Sequence, residues 1–134
     1  MTTLNPPTLA PPIGSLYAQI SIAPTGRLAF IAGQVALDVE GRLVGPGDYR
    51  LQAVQCFRNI AAAIAAVGAK PDQVVRMTIN VVNHQDELVE VVFQAGFEVF
   101  GDDWPRCASI FLGVQALGMR DWLIEVDAIV SLPD

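Results

Sequence analysis

Apolar positions in the first third of the chain alternate with polar ones instead of stepping at helical intervals. Over residues 15–23, Leu16, Ala18, Ile20 and Ile22 fall on one side of an extended segment, the period of two that a strand requires. Pro24-Thr25-Gly26 has turn chemistry, and Leu28-Ala29-Phe30-Ile31-Ala32 returns as a second strand, so the two read as a hairpin. Gly33-Gln34 interrupts that run, and glycine inside a strand pattern marks a bulge or a close approach of backbone to another group. Residues 35–37 continue extended, 38–41 turn, and 42–44 read as a short third strand.

The period changes after Gly45-Pro46-Gly47. Asp48 is placed to cap a helix, and Leu51, Val54, Phe57, Ile60, Ala61, Ile64 and Val67 step by three and four until Gly68 closes the run. Residues 74–82 then form an apolar segment that reads as a buried strand. A polar loop carrying His84 leads to a second helix over 87–100, apolar along two stripes (Leu88, Val91, Val92, Ala95, Val99 and Val89, Phe93, Phe97) and therefore buried on two sides. Pro105 disfavours helix at Trp104, and residues 107–114 and 123–130 read as two final strands. The order ββ(β)-α-β-α-β-β predicts an α+β fold: a single mixed β-sheet with two helices packed on one face. Nothing in the chain is left to cover the other sheet face, so self-association is expected.

Composition sharpens the picture. The 134 residues suit a single domain over 1–134, with the proline-bearing residues 1–12 as an extended N-terminal arm. Hydrophobic residues make up 52% and charged ones only 16%, more apolar surface than a lone domain of this size can hide. A net charge of −6 with no basic run argues against nucleic acid as a partner. No run reaches the roughly 18 apolar residues of a membrane span, and residues 1–12 lack the features of a signal peptide. Cys56, Cys107 and the single His84 show no metal spacing, so no metal is expected, and a reducing cytoplasm fits two thiols that read as buried and structural.

Few residues signal chemistry. His84 in its polar loop reads as a surface residue. Glu125 shares a strand face with Leu123, Asp127 and Ile129, and a carboxylate in an apolar strand must be paired, solvated or kept neutral. Two readings stand: Glu125 holds a water as acid or base, or Glu125 and Asp127 line the wet side of an edge strand. In Asp103-Trp-Pro-Arg-Cys-Ala-Ser109 a lone cation, Arg106, stands beside Cys107 and Ser109 at the mouth of a strand. It marks an anion pocket or is a solvated charge closing a loop.

Four stretches carry a resemblance to a known family: Ile13-Gly-Ser-Leu-Tyr-Ala-Gln19, Phe30-Ile-Ala-Gly-Gln34, Gln55-Cys-Phe-Arg-Asn-Ile60 and Ile124-Glu-Val-Asp-Ala-Ile129. In this order they resemble the RidA/YjgF family, also known as L-PSP endoribonuclease-like proteins. The resemblance implies a chorismate-mutase-like fold assembled as a homotrimer, with small-molecule clefts between subunits. In the best-studied branch those clefts hydrolyse enamines and imines to ammonia and a 2-keto acid, with no metal or organic cofactor. By position, Tyr17 and Gly33 would line the cleft and Glu125 would position the attacking water.

An arginine should grip the substrate carboxylate as a bidentate fork. The deaminase branch reads Pro-Ala-Arg-Ser there, but counting back from Gly113-Val-Gln-Ala-Leu117 puts Ser109 at the arginine position, and Arg106 lies three residues earlier on the opposite strand face, about 10 Å away. Glu90 stands where that branch often has asparagine. The sequence therefore predicts either a cleft hydrolase that uses Ser109 or Arg106, with Cys107 beside them, on something other than the usual 2-aminoacrylate-type substrate, or a non-catalytic metabolite-binding or regulatory trimer.

Overall fold

The structure is a computed structural model and describes residues 1–132, so the last two positions of the expected domain lie outside the described residues. Strands β1 (Thr2–Leu4), β2 (Ile20–Ile22) and β3 (Arg27–Gln34) precede helix α1 (Tyr49–Ala66); strand β4 (Val74–Val82), helix α2 (Glu87–Phe100), β5 (Ala108–Val114) and β6 (Ile124–Leu132) follow. Four of the strands form one mixed sheet in the order β3-β6-β4-β5. β6 runs antiparallel to both its neighbours, and β4 and β5 are parallel, joined across α2. Both helices pack on one face of this sheet, the α+β arrangement the hydrophobic periods predict.

Two early expectations are corrected. β2 does not form a hairpin with β3; it pairs with β1 inside the N-terminal arm, with Thr3 opposite Ser21. The reason lies at the far edge of the sheet, where the main chain of Ala18 donates to Cys107 O at 3.0 Å and Ala108 N donates to Ser21 Oγ at 2.7 Å. The 13–22 segment thus seals the β5 edge, while β3 occupies the opposite edge. The short third strand is only a single bridge between Leu37 and Leu43.

α1 begins where the Asp48 side chain accepts from Leu51 N at 2.9 Å and ends at Gly68, whose φ of +73° suits glycine. Its inner stripe (Val54, Phe57, Ile60, Ile64) meets Met77 and Ile79 of β4 and Val126 of β6 in one core. Trp104 closes that core from the β5 side. Its ring lies 5.3 Å from Phe57 and 5.8 Å from Phe93, centroid to centroid, and Gly96 of α2 leaves the space its indole fills.

Gln52 is the buried polar exception. Its amide donates to Gly45 O at 3.2 Å and Asp121 O at 3.0 Å and accepts from Leu123 N at 2.9 Å, tying two loops to α1. Replacing it with leucine is expected to cost about 1–3 kcal/mol for each buried group left unpaired, seen as a lower midpoint in a urea melt. An unchanged midpoint would show that water takes over those bonds.

The second sheet face carries no helix. On β6, Ile124, Val126, Ala128 and Val130 are buried under the helices, whereas Glu125, Asp127 and Ile129 face the other way. Arg76, Thr78 and Asn80 of β4 stand beside them. On the outer strands this face is apolar: Phe30 is 73% exposed and Leu28 47%, and Ile110 and Leu112 are 39% each.

Candidate functional site

The bulge in β3 builds the first half of the site. Ile31 lies opposite Ala128 and Gln34 opposite Val126, so β3 spends one extra residue at Ala32-Gly33. The missing side chain of Gly33 is filled by Glu125. A Cβ at Gly33 would stand 2.7 Å from the Glu125 carboxyl carbon and 2.9 Å from Oε1. The carboxylate is thus laid over bare backbone on the open sheet face. Among the described residues it has no hydrogen-bonding side chain; Asn80, across the strand, donates to the Glu125 main-chain carbonyl instead, at 3.5 Å.

Its neighbour on that face is in a different situation. Asp127 is raised above the ordinary carboxylate range by burial, an effect opposed by the nearby Arg76 charge and by a hydrogen bond from Thr78. Asp127 therefore has partners that Glu125 lacks. Behind Glu125, the Cys56 thiol is pushed up to about 12 by burial and by the Glu125 charge, and its Sγ donates to Ile124 O at 3.4 Å. Cys56 is a packing residue.

A cavity of about 270 Å³ opens beside Gly33, walled by Gln34, Val35, Leu37, Asp38 and Asn59. Its wall is fixed from α1. Asn59 Nδ2 donates to Val35 O and Leu37 O, both at 3.0 Å, and Gln55 donates to Asn59 Oδ1 at 2.9 Å. Two amides at i and i+4 on one face of a helix are the sequence signal of such a hydrogen-bonded wall.

The second half of the site lies at the start of β5. Arg106 Nε donates to Ser15 O at 2.9 Å, and Trp104 Nε1 to Leu16 O at 2.9 Å. With the Ala18–Cys107 main-chain bond, these bring Tyr17, Arg106 and Cys107 to one corner. The Cys107 thiol is buried and pushed up to about 12 by that burial, so it is no nucleophile at neutral pH. Ser109 lies opposite Met77, on the helix-covered face. Glu90 is exposed in the first turn of α2, where its charge suits the helix N-terminus.

The two halves do not meet within one chain. Ser109 is level with Met77 and Ala128, three residues along β6 from Glu125. That is roughly 10 Å along the strand plus two strand spacings of about 5 Å each, with the side chains on opposite faces. The structure therefore groups Gly33 with Glu125, and Tyr17 with Arg106 and Cys107.

His84 corrects another expectation. Instead of standing free in solvent, its ring packs on Phe111 at 5.1 Å and over Gly113, and its Nδ1 is buried without a partner. The glycine within β5 was the clue, since it makes room for that ring.

Comparison with known proteins places this arrangement. The sequence model described as Endoribonuclease L-PSP matches residues 8–132. The chain belongs to this family, the RidA/YjgF group. A RutC family protein of Pyrococcus abyssi is 32% identical over 88% of this chain and 87% of its own length. A 2-iminobutanoate/2-iminopropanoate deaminase of Dermatophagoides farinae is 27% identical over 96% of this chain and 94% of its own. Among solved structures, the Rid family protein YyfB of Yersinia pestis, itself of unknown function, superposes with a TM-score of 0.89 at 34% identity, covering 98% of both chains. The chorismate-mutase-like fold is thereby established for this RidA/YjgF chain. Among the described residues, no helix is long and apolar enough to cross a membrane.

Proposed function

We propose that this RidA/YjgF chain acts as a cytoplasmic homotrimer with small-molecule clefts between copies, and that each cleft hydrolyses a small imine- or enamine-type metabolite without metal or organic cofactor. The observation that carries the reading is the Glu125 carboxylate lying over Gly33 with no side chain pairing it. A carboxylate held in place and left unpaired can orient a water and take its proton. Water adds to the C=N carbon and a proton goes to nitrogen. The carbinolamine then loses ammonia, leaving a carbonyl, so that one imine and one water give one ketone and one ammonia. The relative named as an iminobutanoate/iminopropanoate deaminase supports this class of reaction.

Assembly supports it as well. The Gly33–Glu125 half-site and the half-site of Tyr17, Arg106, Cys107 and Ser109 belong together only if one copy supplies each. The exposed Phe30 and Leu28 give the open sheet face the apolar area for such contact. The free, buried thiols of Cys56 and Cys107 suit a reducing compartment.

The substrate class follows from the missing cation. Loss of a desolvated bidentate contact to a carboxylate costs about 2–5 kcal/mol in transition-state binding, roughly 30-fold or more in rate at tenfold per 1.4 kcal/mol. Ammonia release from a panel of freshly generated imines tests both statements. Glu125→Gln should abolish release from whichever imine the wild-type protein accepts. Release from serine- and threonine-derived enamines should fall well below that of the mite deaminase. Comparable rates on those enamines would defeat the substrate claim, and unchanged release by the Glu125 variant would defeat the mechanism.

One observation favours a second reading, a non-catalytic metabolite-binding or regulatory trimer: at the start of β5 the position that the resemblance gives to the arginine is a hydroxyl, Ser109, which suits an uncharged ligand. Absence of ammonia release from every imine, together with thermal stabilisation by uncharged compounds, would select it. Ribonuclease activity is not proposed, because a chain of net charge −6 with no run of basic residues is poorly suited to binding phosphates.

A further inference from the structure

Between the loop bridged at Leu37–Leu43 and the loop before β6 lies a second cavity of about 540 Å³, within the usual size of ligand pockets. Its walls are Leu37, Leu43, Met119 and Trp122, with Arg120 and Asp121 among the lining residues. It shares the Leu37 wall with the cavity beside Gly33 but is a separate space. The catalytic reading gives it no part.

Both walls are held in place. On one side Asp38 Oδ1 accepts from Glu40 N and Arg42 N, each at 2.9 Å, closing the 38–42 loop on itself. On the other, the buried Gln52 side chain grips Asp121 O and Leu123 N, and the Trp122 ring folds back over Gly118, where a Cβ would stand 3.1 Å away. The opening is built into the fold rather than left between loose loops.

Arg120 is the one cation among the described lining residues. Arg42 is paired with Glu40, Arg50 with Glu98 and Arg106 with Ser15 O, whereas Arg120, like Arg27, Arg58 and Arg76, makes no ion pair or side-chain hydrogen bond among the described residues and is free to take a ligand. In a chain of net charge −6, an unpaired guanidinium beside an indole and a thioether is a point of positive potential at the mouth of an apolar space. A guanidinium takes a carboxylate as a planar fork, and the indole face and Met119 take a flat apolar body. The Asp121 carboxylate among the lining residues weighs against a ligand with more than one negative charge.

We propose that this cavity binds a small monocarboxylate with a flat apolar side chain, Arg120 anchoring the carboxylate and Trp122 stacking on the body. The binding is independent of the hydrolytic reading and of Glu125.

Trp122 provides the readout, because the other tryptophan, Trp104, is buried in the core. The full-length protein would be titrated with 3-phenylpropanoate, following tryptophan fluorescence and heat, with 3-phenylpropanamide as the uncharged comparison. The expected result is saturable binding of the acid, weakened by about tenfold or more both by Arg120→Gln and by using the amide. Trp122→Phe should remove the fluorescence change, with calorimetric binding weakened but present. Glu125→Gln should leave binding unchanged even though it removes the proposed hydrolysis. No saturable binding, equal affinity for the amide, indifference to Arg120→Gln, a fluorescence change surviving in Trp122→Phe, or loss of binding in Glu125→Gln would each overturn the proposal.

Discussion

Replacing Trp104 with alanine is expected to destabilise the fold by about 3–5 kcal/mol, the cost of emptying a large aromatic site that cannot collapse. The site is rigid on every side. Phe57, Phe93, Phe97 and Phe100 meet the indole at steep interplanar angles, between 62° and 82°. Gly96 faces it so closely that a Cβ there would stand 2.4 Å from the ring, and the indole nitrogen bonds Leu16 O. The substitution therefore opens a cavity between α1, α2 and β5 and also removes one of the bonds that hold the 13–18 segment at the β5 edge. Against a total of about 5–15 kcal/mol for a domain, this is a large fraction. A guanidinium melt should show the midpoint collapse for Trp104→Ala and a smaller loss for Trp104→Phe, which keeps the ring but not the hydrogen bond. Equal losses would mean that the Leu16 tether, and not the packing, carries the effect.

Gly33→Ala separates stability from function. The atoms a new Cβ would meet are Cγ, Cδ and Oε1 of Glu125, the far end of a flexible side chain rather than backbone. Glu125 can swing outward at small cost, so the thermal midpoint should move by only a few degrees, in line with the roughly 4–8 °C per kcal/mol typical of small domains. The carboxylate, however, is pushed about 1 Å or more from its place. A misplacement of that size costs on the order of 100-fold in a positioned reaction. Imine hydrolysis should fall about as far in Gly33→Ala as in Glu125→Gln, and the two substitutions together should be no worse than either alone. Full activity in Gly33→Ala would detach Glu125 from the chemistry.

Much of this architecture was legible in the chain itself. The step of three and four from Leu51 to Ile64, closed by Asp48 and Gly68, could be nothing but an amphipathic helix, because each signal is local. The Gly33 interruption announced the bulge for the same reason. Partnership was the hidden part. Residues 20–22 alternate as a strand does, but alternation does not say which strand lies alongside, and a docking contact to Ala108 sends them away from β3. His84 was misread because its neighbours in sequence are polar while its neighbours in space, Phe111 and Gly113, come from β5.

The candidate site was legible residue by residue but not as an assembly. Gly33 and Glu125 do meet, although the glycine signalled only a bulge or some close approach and the carboxylate only a need for a partner or water. Ser109 and Glu125 do not, because the register of β4 with β5 and β6 puts them on opposite faces. No local pattern carries that information, since it depends on two strand pairings at once. The amide pair Gln55–Asn59 went unread for a simpler reason: polar residues on a helix are usually taken as its wet side.

The separation of the two half-sites is the centre of the account, and the mass of the protein in solution tests it most directly. Light scattering coupled to size exclusion should give three times the mass of the chain, and Phe30→Asp, which puts a charge on the open sheet face, should lower it toward that of a single chain. A wild-type protein that runs as a monomer while still releasing ammonia from an imine would contradict the account, because Glu125 would then be working without the second half of its cleft.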